Sequence, residues 1–270
     1  MRIENIDIKG NFGENAQLVT YILDNSPEID ENRERPAILI CPGGGYEMTS
    51  DREAEAIAIQ MLSLGYHAFV LRYSVSPATF PTALLELAQS VALIRNNSEN
   101  WHVNKEKIIV AGFSAGGHLA ASLGVFWHEK WLEEKLQGVA EGWRPNGLML
   151  AYPVISSGEF AHEGSFVNLM EQHNDLLKEQ LSLEKQVTSY TPPSFLWHTV
   201  EDDCVPVENS LLFVTALRKN KVPFEFHVFP KGGHGLGLAT KETESIYGNG
   251  IQKACAQWIK LFNLWVEENI

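Results

Sequence analysis

Apolar positions along the chain alternate between two spacings. Short, nearly continuous apolar runs at Ala37 to Cys41, His67 to Tyr73, Ile108 to Ala111, Leu148 to Pro153, Pro193 to His198 and Phe224 to Phe229 read as strands, most of them buried on both faces. Between them the apolar residues fall at helical intervals. Residues 53 to 63 place Ala54, Ile57, Ala58, Met61 and Leu62 on one face before Gly65, and residues 82 to 96 do the same with Leu84, Leu87, Ala88, Val91 and Ala92. Further helices are expected over 206 to 219 and over 249 to 266, where Ile251, Ala254, Cys255, Trp258, Ile259, Phe262 and Trp265 line up as a core stripe. At the N-terminus, residues 3 to 9 and 16 to 23 alternate like an antiparallel pair. The pattern predicts an α/β protein with a mostly parallel sheet and helices on both faces, in a single domain over residues 1–270. Residues 154–191 break the rhythm, because they are too long for an ordinary connection. They read either as a small cap insertion near the strand ends or as a surface excursion of two helices.

One turn in this pattern carries candidate chemistry. Gly112-Phe113-Ser114-Ala115-Gly116 lies between the run ending at Ala111 and the small residues Gly117 to Ala121, which read as a helix start. A strand, a sharp turn and a helix with serine at the apex would push Ser114 Oγ out of the sheet, and the two glycines would let strand and helix pass. Five letters of this kind arise by chance in about one chain in ten of this length and composition. Weight therefore rests on whether a base, an orienting carboxylate and oxyanion donors can be found.

Of nine histidines, His227 and His234 lie late enough to follow a suitable acid. His227 sits inside the alternating run Phe224 to Phe229 and is expected on one face of a strand, whereas His234 sits in the glycine-rich loop Lys231-Gly232-Gly233-His234-Gly235 and is the better base. For the acid, Glu201-Asp202-Asp203 offers three carboxylates in a loop before a helix, and a charge run of this kind is commonly solvated. The oxyanion would be met by the N–H of Ala115 and by Gly44 or Gly45 of Pro42-Gly43-Gly44-Gly45-Tyr46, where three glycines at a strand end allow close approach of backbone to a ligand. A phosphate-cradling loop does not fit the spacing. Tyr46 is a candidate for the pocket wall or a packed aromatic. His118, His198, His67, His102, His128, His162 and His173 read as packing residues.

Taken together, Cys41 to Tyr46, Gly65 to Tyr73, Gly112 to Ala121, His198 to Val207 and Gly232 to Gly235 resemble the α/β-hydrolases. The likeness is strongest to the bacterial acetyl-esterase and acetylxylan-esterase-like group, which is related to dienelactone hydrolases and to the prolyl oligopeptidase catalytic domain. The resemblance implies an α/β-hydrolase fold, an acyl-enzyme mechanism with Ser114, Asp202 and His234 as catalytic residues, and Asp203 as the alternative acid. It implies a short-chain esterase of acetylated sugars, with a serine peptidase or amidase, or a non-catalytic binding module on the same fold, as the other readings. Many relatives carry histidine just before the glycine triplet. Here Pro42 stands in its place, so support for that loop must come from other groups.

Composition narrows the partners. A formal charge of -13 repels nucleic acid and anionic membrane surfaces, and 44% hydrophobic residues suffice for one large core. Cys41, Cys204 and Cys255 are too few and too scattered for a disulfide framework or a metal site. The reading is a cytoplasmic enzyme with a small-molecule ester substrate, without metal or cofactor, as a monomer or a homo-oligomer.

Overall fold

The structure, a computed structural model, describes residues 1–9, 15–170, 174–248 and 250–270. His173 and Asn249, the latter the first residue of the expected last helix, lie outside them. Eight strands among these residues are β1 Arg2–Lys9, β2 Asn15–Ile22, β3 Arg35–Cys41, β4 His67–Arg72, β5 Val103–Phe113, β6 Gly147–Ala151, β7 Ser194–Thr199 and β8 Phe224–Phe229. They form one sheet in the order β1-β2-β4-β3-β5-β6-β7-β8. The pairs β1 with β2 and β2 with β4 are antiparallel, and every later pair is parallel.

Helices α1 Glu55–Ser63, α2 Thr82–Asn96, α3 Ser98–Trp101, α4 Ala115–Phe126, α5 Lys130–Leu136, α6 Glu163–Leu169, α7 Asp175–Gln180, α8 Glu208–Lys219 and α9 Trp258–Asn269 connect or follow the strands. The central strands carry runs of consecutive apolar residues, such as Ala37 to Cys41 in β3 and Ile108 to Ala111 in β5, because these stretches face a core on both sides. In β3, Ala37, Leu39 and Cys41 join the core shared with α2, α4 and α8, while Ile38 and Ile40 join the core shared with α1 and α9. Strand β8 closes one edge and is only half-buried.

Three helices begin later than their spacing predicts, α8 by two residues at Glu208. Residues 51 to 53 form a separate 3-10 turn, and Ala54, at φ -116 and ψ -105, breaks the chain before α1. The last helix starts at Trp258 after a 3-10 turn at Cys255–Gln257, and it continues to Asn269. Ile251 and Ala254 therefore fall off the core stripe and are exposed, because helical spacing does not apply to residues in a turn. Trp258, Phe262 and Trp265 keep the stripe and pack on Trp197 and Phe195 of β7.

The turn between β5 and α4 is the tightest crossing in this frame. A Cβ on Gly112 would stand 2.2 Å from the Gly116 carbonyl oxygen, and one on Gly116 would stand 2.1 Å from the Cys41 carbonyl oxygen. Both obstacles are backbone and cannot rotate away. Gly116→Ala is accordingly expected to destabilise the protein by about 3 kcal/mol or more, the upper range for overpacking. Urea unfolding checks this, and an alanine variant of native stability would contradict the crossing.

Candidate active site

Ser114 sits at φ 54 and ψ -120, a strained conformation for a residue with a Cβ. Its backbone is pinned from both sides: Ser114 N–H donates to the Ala151 carbonyl at 3.0 Å, and its own carbonyl accepts from Val154 N–H at 3.0 Å. Held in this way, Ser114 Oγ lies 2.7 Å from Nε2 of His234. The Nδ1 atom of His234 lies 2.7 Å from Oδ2 of Asp202. A carboxylate only accepts, so Nδ1 carries the proton of the neutral ring and Nε2 is free to accept from the serine hydroxyl. Chain order and geometry thus bring together the three residues the sequence singled out.

Of the three acidic candidates, Asp202 is the one turned inward, with its side chain fully buried, and Asp203 is exposed. Oδ1 of Asp202 accepts from the N–H groups of Cys204 at 3.1 Å and Val205 at 2.9 Å. Burial alone would raise the Asp202 carboxyl, but the hydrogen bonds from His198 and His234, the His234 charge and the Val205 N–H outweigh it. The group is held well below the ordinary carboxylate range. Glu201 is no idle loop charge either, since its Oε2 accepts from Gly232 N–H at 3.1 Å and steadies the loop that carries His234.

His198, read from sequence as packing, takes part in holding the acid. Its Nε2 is 2.9 Å from the Val205 carbonyl and 3.4 Å from Asp202 Oδ2, so it donates to both, while Nδ1 accepts from Ser210 Oγ at 2.8 Å. By contrast, His227 stays on β8, where Nε2 pairs with Glu225 at 2.6 Å. His118 is a packed histidine: it bridges the Tyr46 hydroxyl at 2.9 Å and the Leu181 carbonyl at 3.0 Å, and burial pushes it down to about 4.

A cavity of about 380 Å³ opens at this point, lined by Gly44, Gly45, Ser114, His162, Cys204 and His234 among others. Tyr46 is not part of that wall. It is 2% exposed, and its ring packs edge-on against Tyr73 and His118 beneath the loop. The glycine triplet is shaped by close neighbours: a Cβ on Gly43 would meet Glu53 Oε2 at 2.6 Å and Ser114 Cβ at 2.8 Å, while Gly44 and Gly45 have φ +128 and +63. The carbonyl of Gly43 accepts from Ser50 N–H at 2.9 Å and that of Gly44 from Glu47 N–H at 3.0 Å. In a trans peptide the N–H points opposite the carbonyl, so the N–H groups of Gly44 and Gly45 are directed away from these bonds. Ala115, as the first residue of α4, likewise has an N–H that its own helix cannot satisfy.

In place of the histidine that the resemblance would put before the triplet, this chain has Pro42, and Glu53 and Tyr73 hold the loop. Glu53 Oε2 accepts from Gly43 N–H at 2.8 Å, and the Tyr73 hydroxyl donates to the Pro42 carbonyl at 2.7 Å. Residues 154–191 also reach the site. Asn168 Nδ2 donates to the Gly45 carbonyl at 2.9 Å, and His162, read from sequence as packing, lines the cavity. His162 Nδ1 accepts from Ser165 N–H at 3.3 Å and contacts Ser165 Oγ at 2.8 Å, which leaves Nε2 as its donor nitrogen. Burial, then the His234 charge, lowers its proton affinity, partly offset by Asp202. Spacing could not reveal either residue, because both arrive from an insertion whose path the sequence does not encode locally.

The mostly parallel sheet and the strained serine between β5 and α4 define an α/β-hydrolase. The chain belongs to the BD-FAE family, whose model matches residues 23–217. It is 38% identical over 226 residues to endo-1,4-beta-xylanase B of Butyrivibrio fibrisolvens, which covers 82% of this chain and 35% of that protein. It is 30% identical over 232 residues to the acetylxylan esterase of Xylanibacter ruminicola, covering 83% of this chain and 44% of that one. The chain therefore spans less than half the length of these two relatives. Among solved structures it is similar to the acetyl ester-xyloside bifunctional hydrolase from Caldicellulosiruptor lactoaceticus, with TM-score 0.84, 39% identity, and coverage of 98% of this chain and 96% of that one. Among the described residues, no helix is long and apolar enough to cross a membrane.

The depressed Asp202 carboxyl has a consequence for stability. Its folded value lies below the value of about 4 expected in the unfolded chain, so the ionised group stabilises the fold fully above about pH 5 and less as pH falls toward the folded value. Urea unfolding of the native protein and of Asp202→Asn across acid pH should show a stability difference that is largest near neutrality and shrinks below about pH 4. A difference that stays constant would show that the carboxyl is not depressed.

Proposed function

We propose that the protein is a serine esterase of short-chain, chiefly acetyl, esters carried by sugars or short xylo-oligosaccharides. The observation that carries this reading is the unbroken chain of 2.7 Å contacts from Ser114 Oγ through His234 to Asp202. Ser114 Oγ attacks the acyl carbon as its proton passes to His234 Nε2, and the negative charge that develops on the carbonyl oxygen is met by the N–H groups of Ala115, Gly44 and Gly45. Collapse breaks the bond to the alcohol, which leaves with the proton from His234. A water then attacks the acyl-enzyme, gives its proton to His234, and the acid departs as Ser114 is restored. Asp202 keeps the ring in the required tautomer and stabilises its cation.

The acetyl and sugar assignments rest on the named relatives and on a cavity of modest volume. The charge of -13 disfavours anionic substrates. The segment 154–191 acts in this reading as a small cap on a single domain. It presents His162 Nε2 as a polar donor in the lining of the cavity.

Three measurements test the proposal. Ser114→Ala should abolish hydrolysis of p-nitrophenyl acetate and labelling by a fluorophosphonate probe, with the melting temperature almost unchanged; an unlabelled native protein would point to a binding module. Asp202→Asn should lower kcat by up to about 10⁴-fold, and Asp203→Asn by far less. kcat/KM should fall steeply from acetyl to octanoyl esters, with acetate released from acetylated xylo-oligosaccharides. Activity that rises with chain length would replace the acetyl pocket by a lipase-like cleft.

A further inference from the structure

Behind the glycine triplet lies a polar bridge that none of the expected catalytic groups accounts for. Glu53 is 2% exposed, in the 3-10 turn Asp51–Glu53. While its Oε2 accepts from Gly43 N–H at 2.8 Å, its Oε1 accepts from the Tyr152 hydroxyl at 2.7 Å. The Tyr152 oxygen in turn accepts from Gly237 N–H at 2.8 Å, three residues beyond His234. Four hydrogen-bonding groups in series thus join the loop that bears Gly44 and Gly45 to the loop that bears His234.

Tyr152 is itself held at a backbone position few side chains adopt, with φ 37 at the end of β6. Its N–H donates to the Trp197 carbonyl at 2.8 Å, and its ring meets the His234 ring edge-on at a centroid distance of 5.1 Å. The residue before it, Ala151, supplies the carbonyl that receives Ser114 N–H. Arg52, adjacent to Glu53, adds a parallel tie by donating to the Gly235 carbonyl at 2.9 Å. Burial, then the Glu53 charge and its hydrogen bond, pushes the Tyr152 phenol well above its ordinary value, so it stays a donor.

We propose that Glu53 and Tyr152 form a positioning pair that fixes the distance between the oxyanion donors and the catalytic histidine. The inference rests on the esterase reading above and deepens it. A carboxylate beneath an oxyanion site would oppose the developing charge if it faced it. Here both oxygens are committed to donors, the Gly43 N–H and the Tyr152 hydroxyl, so the bridge acts through geometry. Glutamine in place of Glu53 presents one donor where two acceptors are needed, and phenylalanine in place of Tyr152 leaves Gly237 N–H and Glu53 Oε1 without their partner. Either change frees the two loops to drift by fractions of an ångström, and misplacement of about 1 Å is worth up to about a hundredfold in rate.

The test uses the full chain and p-nitrophenyl acetate. Glu53→Gln and Tyr152→Phe should each lower kcat by about ten- to a hundredfold with KM changed by less than about twofold, because the loss is felt in the transition state. The double variant should lose no more than the worse single one, since both break the same bridge. Amide hydrogen exchange followed by NMR supplies a readout independent of turnover: in Tyr152→Phe, Gly43 N–H should exchange faster although its direct acceptor is untouched. Native kcat in a folded Tyr152→Phe variant, multiplied losses in the double variant, or unchanged exchange at Gly43 would each overturn the pairing. If the native protein hydrolyses no ester, the esterase reading fails and the exchange result alone decides the bridge. If Glu53→Gln does not fold, Tyr152→Phe, which preserves the ring, carries the kinetic arm.

Discussion

The site depends first on a steric constraint, the contact between the Ser114 turn and the end of β3. Gly116 has no room for a Cβ because the carbonyl oxygens of Cys41 and Pro42 would lie 2.1 and 2.4 Å from it. That closeness serves two ends at once. It holds the serine in its strained conformation, and it brings the first helical N–H of α4 beside the loop that follows β3. Ser114 and the proposed oxyanion donors are therefore set by one contact between the Gly116 backbone and the carbonyls of Cys41 and Pro42, and the strain at φ 54 is sustained by the surrounding sheet.

Around that contact the remaining groups arrive on loops from the same end of the parallel strands. The loop after β7 brings Asp202, the loop after β8 brings His234, and the turn after β6 brings Tyr152. Each loop is tied to its neighbour by buried hydrogen bonds, such as Thr199 Oγ1 to the Gly232 carbonyl at 2.7 Å and Asn209 Oδ1 receiving the N–H groups of Ile155 and Ser156. Polar atoms buried without partners are costly, so these bonds select one arrangement of the loops rather than adding much net stability.

Much of this was legible in the sequence, and the limits have physical causes. Continuous apolar runs marked β3, β5 and β7 because both faces of each are covered, and Phe224 to Phe229 was bounded correctly by its alternation. Ser114 and His234 could be read because glycines flank them. The position of Asp202 among three acids could not be read from charge alone and came from resemblance, since inward orientation depends on the N–H groups of Cys204 and Val205. Glu53 and Tyr152 were missed because their partners lie far along the chain, Tyr152 and Glu53 being 99 residues apart, whereas His198 and His162 have near partners but face the site only through the turn of their loops. Of the two readings left open for Tyr46, the packed aromatic is the one found: with a φ of 57, its hydroxyl reaches inward to His118.

The hydrogen bond from Asn168 to the Gly45 carbonyl makes the insertion an integral part of the loop it touches. An insertion fastened at that point cannot be exchanged between relatives like a cassette. Any graft that widens the cavity by replacing residues around α6 also removes the amide that orients one of the three glycine peptides, and a second tie, from His118 to the Leu181 carbonyl, anchors the same insertion to α4. Redesign of substrate scope in this protein is thus a problem of keeping anchor bonds such as these while varying the residues between them.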